Sequence, residues 1–560
     1  MGKRILSLFN LNREWNGLHE AALLIGVFTF SSQILALFRD RLLAHLFGAG
    51  KILDIYYASF DVPDLVFAGV ASFMSALVLI PILTKYATES DARAQKFLKD
   101  VFTVFFSVLI VVSIGLFIAV PVIVPRFFPN FVGEDGLSLV RMTRILLLSP
   151  ILLGLSNLLG SVTQMLHKFF AVALAPLLYN FGIIVGALFF YPAFGPEGLA
   201  WGVVMGAFFH FFVHFYTSSR NGFVLKISFF PSLKDIWEII YVSLPRTIGL
   251  SANQITLTVM VIFAAWMESG SVTVLNFATN LQSVPLAIIG VSYATAAFPS
   301  LSKHFVVDDM AKFREQILLT AQHIIFWSLP VLVLFIVLRA QIVRTILGSG
   351  SFDWTATRLT AACLAIFMVS IVAQSVSLLF IRGFYATGNN KIPLLVNVFS
   401  SLVIIIGGYE LIVWYSHLPT FQYFIESLLR VEGITGSKVL MLPLAYSAGM
   451  IINATLLIYF FRQRFGKFLL PIKDTLMQGS FSALLAGLVT YEFLEVIGLY
   501  LKLDTLKNVF LQGFIAGIAG ILTWWLILEL MGNTEIKGIR TALHHKFWKT
   551  SVIMPDKERM

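Results

Sequence analysis

Apolar runs of about twenty residues or more follow one another almost end to end along this chain, divided by short polar stretches. A helix rises 1.5 Å per residue, so each run is long enough to cross roughly 30 Å of hydrocarbon. The pattern predicts about fourteen spans, near 20–47, 54–84, 98–127, 137–166, 169–192, 197–218, 236–267, 271–302, 314–346, 357–385, 391–415, 439–461, 474–500 and 507–531. The short alternating segments of a membrane β-barrel are absent. The expected class is an all-α polytopic membrane protein.

Three short motifs return in the same order. Pro176-Leu177-Leu178-Tyr179-Asn180 is echoed by Pro393-Leu394-Leu395-Val396-Asn397, Ser32-Gln33-Ile34 by Asn253-Gln254-Ile255, and Pro81 to Lys85 by Pro299 to Lys303. The offset stays near 217–221 residues, which points to a duplication of six spans. Six is even, so both halves enter the membrane in the same direction and form a parallel repeat, as in many transporters. The expected organisation is an interfacial lead-in over 1–19, one six-span lobe over 20–230 and a second over 231–466. Two extra spans over 467–532 and a basic tail over 533–560 complete it.

Composition strengthens this reading. The 560 residues are 58% hydrophobic and 12% charged, against roughly 25% charge in soluble domains. The start, Met1 to Gly17, is polar and basic and has no small-residue cleavage site before the first long run, so it reads as a retained lead-in. The sequence pI is near 9.5, but the basic residues sit in short loops, which argues against nucleic-acid binding. With the amino terminus inside, roughly 26 Lys and Arg fall on the cytoplasmic side and about 13 on the other, which places both termini in the cytoplasm. The stretch from about Tyr415 to Lys438 is then the longest outer loop. Cys363 is the single cysteine, so no disulfide forms within the chain.

Polar residues at bilayer depth are costly unless they are paired or face water, which makes them the candidate site. Arg39-Asp40-Arg41 lies toward the end of the first span, as a functional group or a self-paired interface cluster. Arg246 follows Pro245 about ten residues into the seventh span, with Asn253 seven residues on and on the same face. It is expected to face a water-filled cavity or to pair with an aspartate of the other half. Asn276, Asn280 and Ser283 form one helical stripe, and Asp54, Tyr57, Asp61 and Asp64 another. Such stripes line cavities or hold helices together. Pro63 and Pro285 interrupt both helices at comparable places. His210 and His214 are spaced for a metal, but no third ligand is near in sequence, and a packed aromatic face is expected.

Catalytic chemistry is not indicated. Gly433 to Lys438 has the wrong spacing for a phosphate-binding loop, and no zinc motif or nucleophile elbow occurs. Asn453-Ala454-Thr455 fits a glycosylation sequon but lies inside a span. Without a nucleotide-binding domain, the expected energy source is the membrane potential, a monovalent cation gradient or the substrate's own gradient. No cofactor is expected.

The residues resemble those of the MurJ (MviN) lipid II flippase family, within the multidrug/oligosaccharidyl-lipid/polysaccharide exporter superfamily. The resemblance runs through Phe38-Arg39-Asp40, Phe47-Gly48-Ala49-Gly50 with Asp54, Ala175-Pro176 with Asn180, and Ser251 to Ile255 with Ser269-Gly270-Ser271-Val272. It continues through Phe298-Pro299-Ser300-Leu301-Ser302 and Arg382-Gly383-Phe384-Tyr385-Ala386 with Lys391 and Pro393, and covers most of residues 20–465. It implies two lobes around a central cavity that opens alternately to each side of the bacterial cytoplasmic membrane. The implied cargo is the undecaprenyl-linked peptidoglycan precursor, with membrane lipids as the other partners and no enzymatic step.

The resemblance also implies cavity arginines for the pyrophosphate, and this sequence departs there. Arg39 keeps one, whereas Gln33, Phe67 and Asn280 stand where others are expected, and Asp61 and Asp64 add negative charge. The candidate substrate-binding set is therefore Arg39, Arg246, Gln33, Asn253, Asn276, Asn280, Asp54 and Asp61. A carrier of another polyprenyl-linked glycan and a cation-coupled drug exporter of the superfamily remain alternatives. The Gly48–Gly50 and Ser269–Ser271 turns are expected as hinges or as simple tight turns. The last two spans, by the resemblance, would hold the isoprenoid tail.

Overall fold

The computed structural model describes residues 18–74, 76–466, 472–503, 505–533 and 535–537. The expected lead-in before residue 18 and the tail beyond 537 lie outside the described residues. So do the side chains of Pro245 and Arg246, although their backbone is helical.

The described residues form helices and turns, with no strand among them. In chain order the first helices are α1 (Leu18–Phe47), α2 (Lys51–Ala58), α3 (Asp61–Gly69), α4 (Ala76–Glu89), α5 (Asp91–Phe127), α6 (Glu134–Leu146), α7 (Leu148–Met165) and α8 (Phe169–Val185). They continue with α9 (Tyr191–Phe194), α10 (Glu197–Arg220), α11 (Leu233–Ala265), α12 (Ser271–Leu286), α13 (Ser292–Val306), α14 (Met310–Val337) and α15 (Arg339–Ile346). The last are α16 (Trp354–Val369), α17 (Ile371–Ala386), α18 (Lys391–His417), α19 (Pro419–Leu429), α20 (Met441–Phe465), α21 (Ile472–Tyr500) and α22 (Leu506–Leu530).

Among the described residues, eleven helices are long and apolar enough to cross a membrane, or twelve if α16 and α17 make one broken span. The chain is a multi-pass membrane protein. The two remaining expected spans are α1 and the second, which is not one helix. It runs as α2, α3, a 3₁₀ turn over Ala71–Met74, and α4, with breaks at Ser59–Phe60 and after Gly69. Pro63 sits in the first turn of α3, where its missing N–H is no loss. Pro285 stands near the end of α12, and a π-helical turn over Ala287–Val291 follows it.

The helices gather into two compact units. The first runs through Val284 and adds Ile346–Phe367 and Asn389–Asn453. Its tightest packing joins α8 to α10. A Cβ on Gly182 would run into the backbone of Gly206, and one on Gly186 would come within 2.5 Å of Gly202 Cα. Small residues four apart let the two backbones touch, which is how membrane helices associate without a hydrophobic drive between them. This contact fixes α8, which carries Tyr179 and Asn180.

The second unit comprises Pro285–Thr345, Met368–Gly388 and the described residues from Ala454 on. Its core is aromatic. The Phe326 and Trp524 rings meet at a tilt of 55°, 5.0 Å between centroids, packed with Ala486, Leu528 and Ile536.

The polar stretch expected as a loop contains α19, held by a buried knot. Glu426 accepts hydrogen bonds from Tyr415 Oη at 2.6 Å, Ser437 Oγ at 2.8 Å and Gln422 Nε2 at 2.9 Å. Burial pushes the Glu426 carboxyl up, but the three donors outweigh it and leave the group below its ordinary value. A depressed carboxylate adds stability above its unfolded pKa and loses it as pH falls through the folded one. Glu426→Ala is therefore expected to lower stability by about 1–3 kcal/mol, since Tyr415 and Ser437 lose a buried acceptor. Thermal melting in detergent would show the deficit near neutral pH and a smaller one in acid. An equal deficit at both would rule out the charged knot.

Candidate functional site

A cavity of about 260 Å³ lies inside the first unit, walled by helices from both halves of the sequence. It has room for roughly nine waters at their share of liquid volume. Helix α1 contributes Arg39 and Leu43, α2 gives Tyr56 and Tyr57, α3 gives Asp61 and Asp64, and α8 gives Tyr179. Helix α11 adds Gln254, Leu257 and Val261, while α12 adds Leu275, Asn276, Thr279 and Asn280.

Arg39 is the centre of its polar wall. Its Nε and Nη2 donate to Asp40 Oδ1 at 2.9 and 2.7 Å, and Nη1 donates to Asn180 Oδ1 at 2.9 Å. Asp40 Oδ2 accepts from Asn280 Nδ2 at 3.0 Å. A guanidinium has five N–H groups, so after these bonds two remain for a ligand. The pairing also fixes the plane of the fork, which suits bidentate binding of phosphate oxygens. Asn180 is placed by the α8–α10 glycine contact and donates to Pro176 O at 3.2 Å.

Asp61 is 6% exposed, and its Oδ2 has no hydrogen-bond partner. Asp64, one turn on, lines this cavity and a second of about 320 Å³ beside it. The second cavity lies among Pro63, Phe67, Ser149, Asn157, Asn180 and His210.

Of the candidate set, Arg39, Asp61, Asn276 and Asn280 meet around the chamber. Three others lie off it. Asn253 is exposed on α11, and its neighbour Gln254 faces the chamber instead. At 3.6 residues per turn, one residue turns a side chain by about 100°. Gln33 is half-buried on α1 and does not line the chamber. Asp54 belongs to a different structure. It is 3% exposed and accepts hydrogen bonds from Gly270 N at 2.5 Å, Thr273 N at 2.8 Å and Thr273 Oγ1 at 2.7 Å. Its carboxylate thus caps the start of α12, where backbone N–H groups lack helical partners. The Arg246 side chain lies outside the described residues.

The glycine turns close in around this cap. Gly48 and Gly270 have φ of +64° and +95°. A Cβ there would lie 2.5 Å from Ser351 O and 2.6 Å from Ala49 O respectively. Ser351 N donates to His45 O at 3.0 Å. These are tight turns in close backbone contact. The α10 histidines are spoken for by hydroxyls: Ser156 Oγ is 2.6 Å from His210 Nδ1 and Thr163 Oγ1 is 3.0 Å from His214 Nδ1. Among the described residues no group of three potential metal ligands occurs. Tyr179 and Gln254 were not singled out in the sequence as site residues. Both stand inside the duplicated motifs, which was the available signal.

Comparison with known proteins adds a family. The family model described as "Lipid II flippase MurJ" matches residues 43–511. A probable lipid II flippase MurJ of Buchnera aphidicola subsp. Schizaphis graminum is 26% identical over 411 residues, covering 70% of this chain and 77% of that protein. The lipid II flippase MurJ of Burkholderia cenocepacia is 25% identical over 409 residues, covering 71% and 79%. A solved lipid II flippase MurJ in an inward closed conformation superposes with a TM-score of 0.72 at 22% identity, covering 91% of this chain and 98% of that one. An inward-facing multidrug resistance transporter of the MATE family gives 0.63 at 16% identity, covering 79% and 96%. At these identities the structural likenesses speak to fold.

Proposed function

The chain belongs to the MurJ family, and on that premise we propose that it flips lipid II from the cytoplasmic to the outer leaflet of the bacterial cytoplasmic membrane. The observation that carries this reading is Arg39, held by Asp40 and Asn180 with two N–H groups left over at the wall of the chamber. A planar cation fixed in this way suits the pyrophosphate that links prenyl tail to sugar. The chamber's size suits that phosphate end and not a whole glycopeptide. The isoprenoid tail stays in lipid while the headgroup crosses, and both termini face the cytoplasm. The capped turns around Asp54 then lie on the outer side. Transport proceeds as the two ends of the chamber open in turn, driven by the membrane potential or a cation gradient.

Complementation tests the reading. Expression in a strain depleted of its own lipid II flippase is expected to restore growth and cell shape. A well-expressed, membrane-inserted chain that fails to rescue would overturn the lipid II assignment. One observation favours a second reading, a carrier of another polyprenyl-linked glycan: Asn280, Asp61 and Asp64 line the chamber, where the family resemblance leads one to expect more positive charge.

A further inference from the structure

We infer that the chamber binds a divalent cation of the magnesium class on Asp61 and Asp64, and that this ion bridges the protein to the pyrophosphate of its cargo. The inference rests on the flippase reading above. It starts from a charge imbalance. Arg39, the described arginine of the chamber, is already matched by Asp40 at 2.7 Å. Asp61 and Asp64 face the same space with no described cation in contact with either. A pyrophosphate diester would bring two more negative charges to that wall. Without a counter-charge the chamber would repel the group it is built to receive.

The donor set decides the kind of ion. Asp61 and Asp64 are three residues apart on one helix, which sets their Cβ atoms about 5–6 Å apart on a common face. One carboxylate oxygen, Asp61 Oδ2, is buried in the wall with no partner. A buried carboxylate oxygen left unpaired is costly, and a ligand is the usual remedy. Across the chamber, Asn276 Nδ2 donates to Val272 O at 3.0 Å and Asn280 Nδ2 to Asp40 Oδ2 at 3.0 Å. With their nitrogens committed, these amides have oxygens left to offer, and Gln254 adds another amide. These donors are all oxygen, Met260 supplies the one thioether in the described lining and no imidazole or thiol stands there, and space remains for water. Magnesium-class ions are held in this manner, by one or two carboxylates, retained waters and substrate phosphates. Monovalent ions would offset only half of the carboxylate charge.

The test uses the full chain in lipid nanodiscs. First, Mn2+ alone is titrated and read by paramagnetic resonance. The expected result is a site that Asp61→Asn weakens at least tenfold and Asp61→Glu retains. Absence of any Asp61-dependent Mn2+ signal overturns the proposal. Second, a short-chain prenyl pyrophosphate is titrated in Mg2+ or in chelator. The parent is expected to bind at least tenfold more weakly in chelator, and the Asp61→Asn/Asp64→Asn variant to lose that dependence. Equal affinity with and without Mg2+, a dependence on pH alone, or an undiminished Mg2+ effect in the variant would each overturn the bridge. If Mn2+ binds through Asp61 but the prenyl pyrophosphate binds in neither condition, the flippase reading falls while the ion site stands. Melting curves of each variant, matched to the parent, separate these outcomes from misfolding.

Discussion

Arg39→Ala is expected to abolish transport, and the double variant Arg39→Ala/Asp40→Asn to remain inactive while folding normally. The first change does two things at once. It removes the guanidinium from the chamber, and it strips Asp40 of its cation. Asp40 is 3% exposed, and its other described partner is the neutral amide of Asn280. Breaking a buried pair from one side costs about 3–5 kcal/mol because an uncompensated charge stays behind. Loss of activity in the single variant would therefore be ambiguous. Neutralising Asp40 as well removes that penalty, since an amide of the same shape no longer needs a cation.

What remains in the double variant is the effect on the cargo. Truncating one partner of a desolvated charge pair typically costs 2–5 kcal/mol, roughly 30-fold or more in affinity. Arg39→Lys keeps the charge but loses the fork, and an intermediate rate is expected. Flipping of a fluorescent lipid-linked precursor in proteoliposomes, beside melting curves, reads both terms. A folded double variant that transports at the parental rate would show that Arg39 only shapes the chamber.

The sequence made the spans legible because hydrocarbon thickness imposes a length and a polarity that no packing detail can hide. Ala92–Phe127 and Lys391–His417 stand where the apolar runs do. The second span was harder. Its residues are apolar enough, but the chain breaks at Ser59–Phe60, next to the residues that line the chamber. Nothing local signals that break except Pro63, and proline tolerates the first turn of a helix as well as a break.

The chamber was readable in part. Asp61, Asn276 and Asn280 were found because polar residues at helical spacing in an apolar segment must share a face. Asp54 lies on the same stripe and goes elsewhere, since its partners at Gly270 and Thr273 are more than 200 residues away. No local pattern encodes that meeting. On α11 the trouble is phase. Ser251, Asn253, Gln254, Thr256 and Thr258 spread polar groups around the helix, so the duplicated Asn253-Gln254 pair cannot tell which of the two amides turns inward. Packing against α3 and α18 decides for Gln254.

Asp54→Asn is expected to open the end of the first unit at which Asp54 sits, the outer end in the orientation proposed above. The carboxylate gathers two backbone N–H groups and one hydroxyl at the start of α12. An anion there is favoured twice, by the orphan donors and by the helix dipole. Hydrogen bonds to a charged group are worth about 1.5–3 kcal/mol each. An amide keeps an acceptor oxygen but turns an NH2 toward donors. A shift of only 1.4 kcal/mol would already change the ratio of closed to open states about tenfold.

The other described bonds at this end, such as Ser351 N to His45 O at 3.0 Å and Arg41 Nη1 to Ile346 O at 3.3 Å, do not reach the start of α12. The glycine turns contribute close contact but few bonds, because Gly48 and Gly270 meet backbone atoms of Ser351 and Ala49 by shape. The chain's single cysteine, Cys363, is fully buried, so a cysteine introduced at Thr279 in the chamber wall can report access with little background. A membrane-impermeant maleimide added outside should label Thr279→Cys about tenfold faster when Asp54 is Asn. Transport should fall in parallel, because a carrier held open at one end completes fewer cycles. Thr273→Val removes the hydroxyl and spares the backbone donors, so its effect should be smaller and in the same direction. Equal labelling rates with Asp54 and with Asn at that position would mean that the cap stabilises α12 without holding the gate.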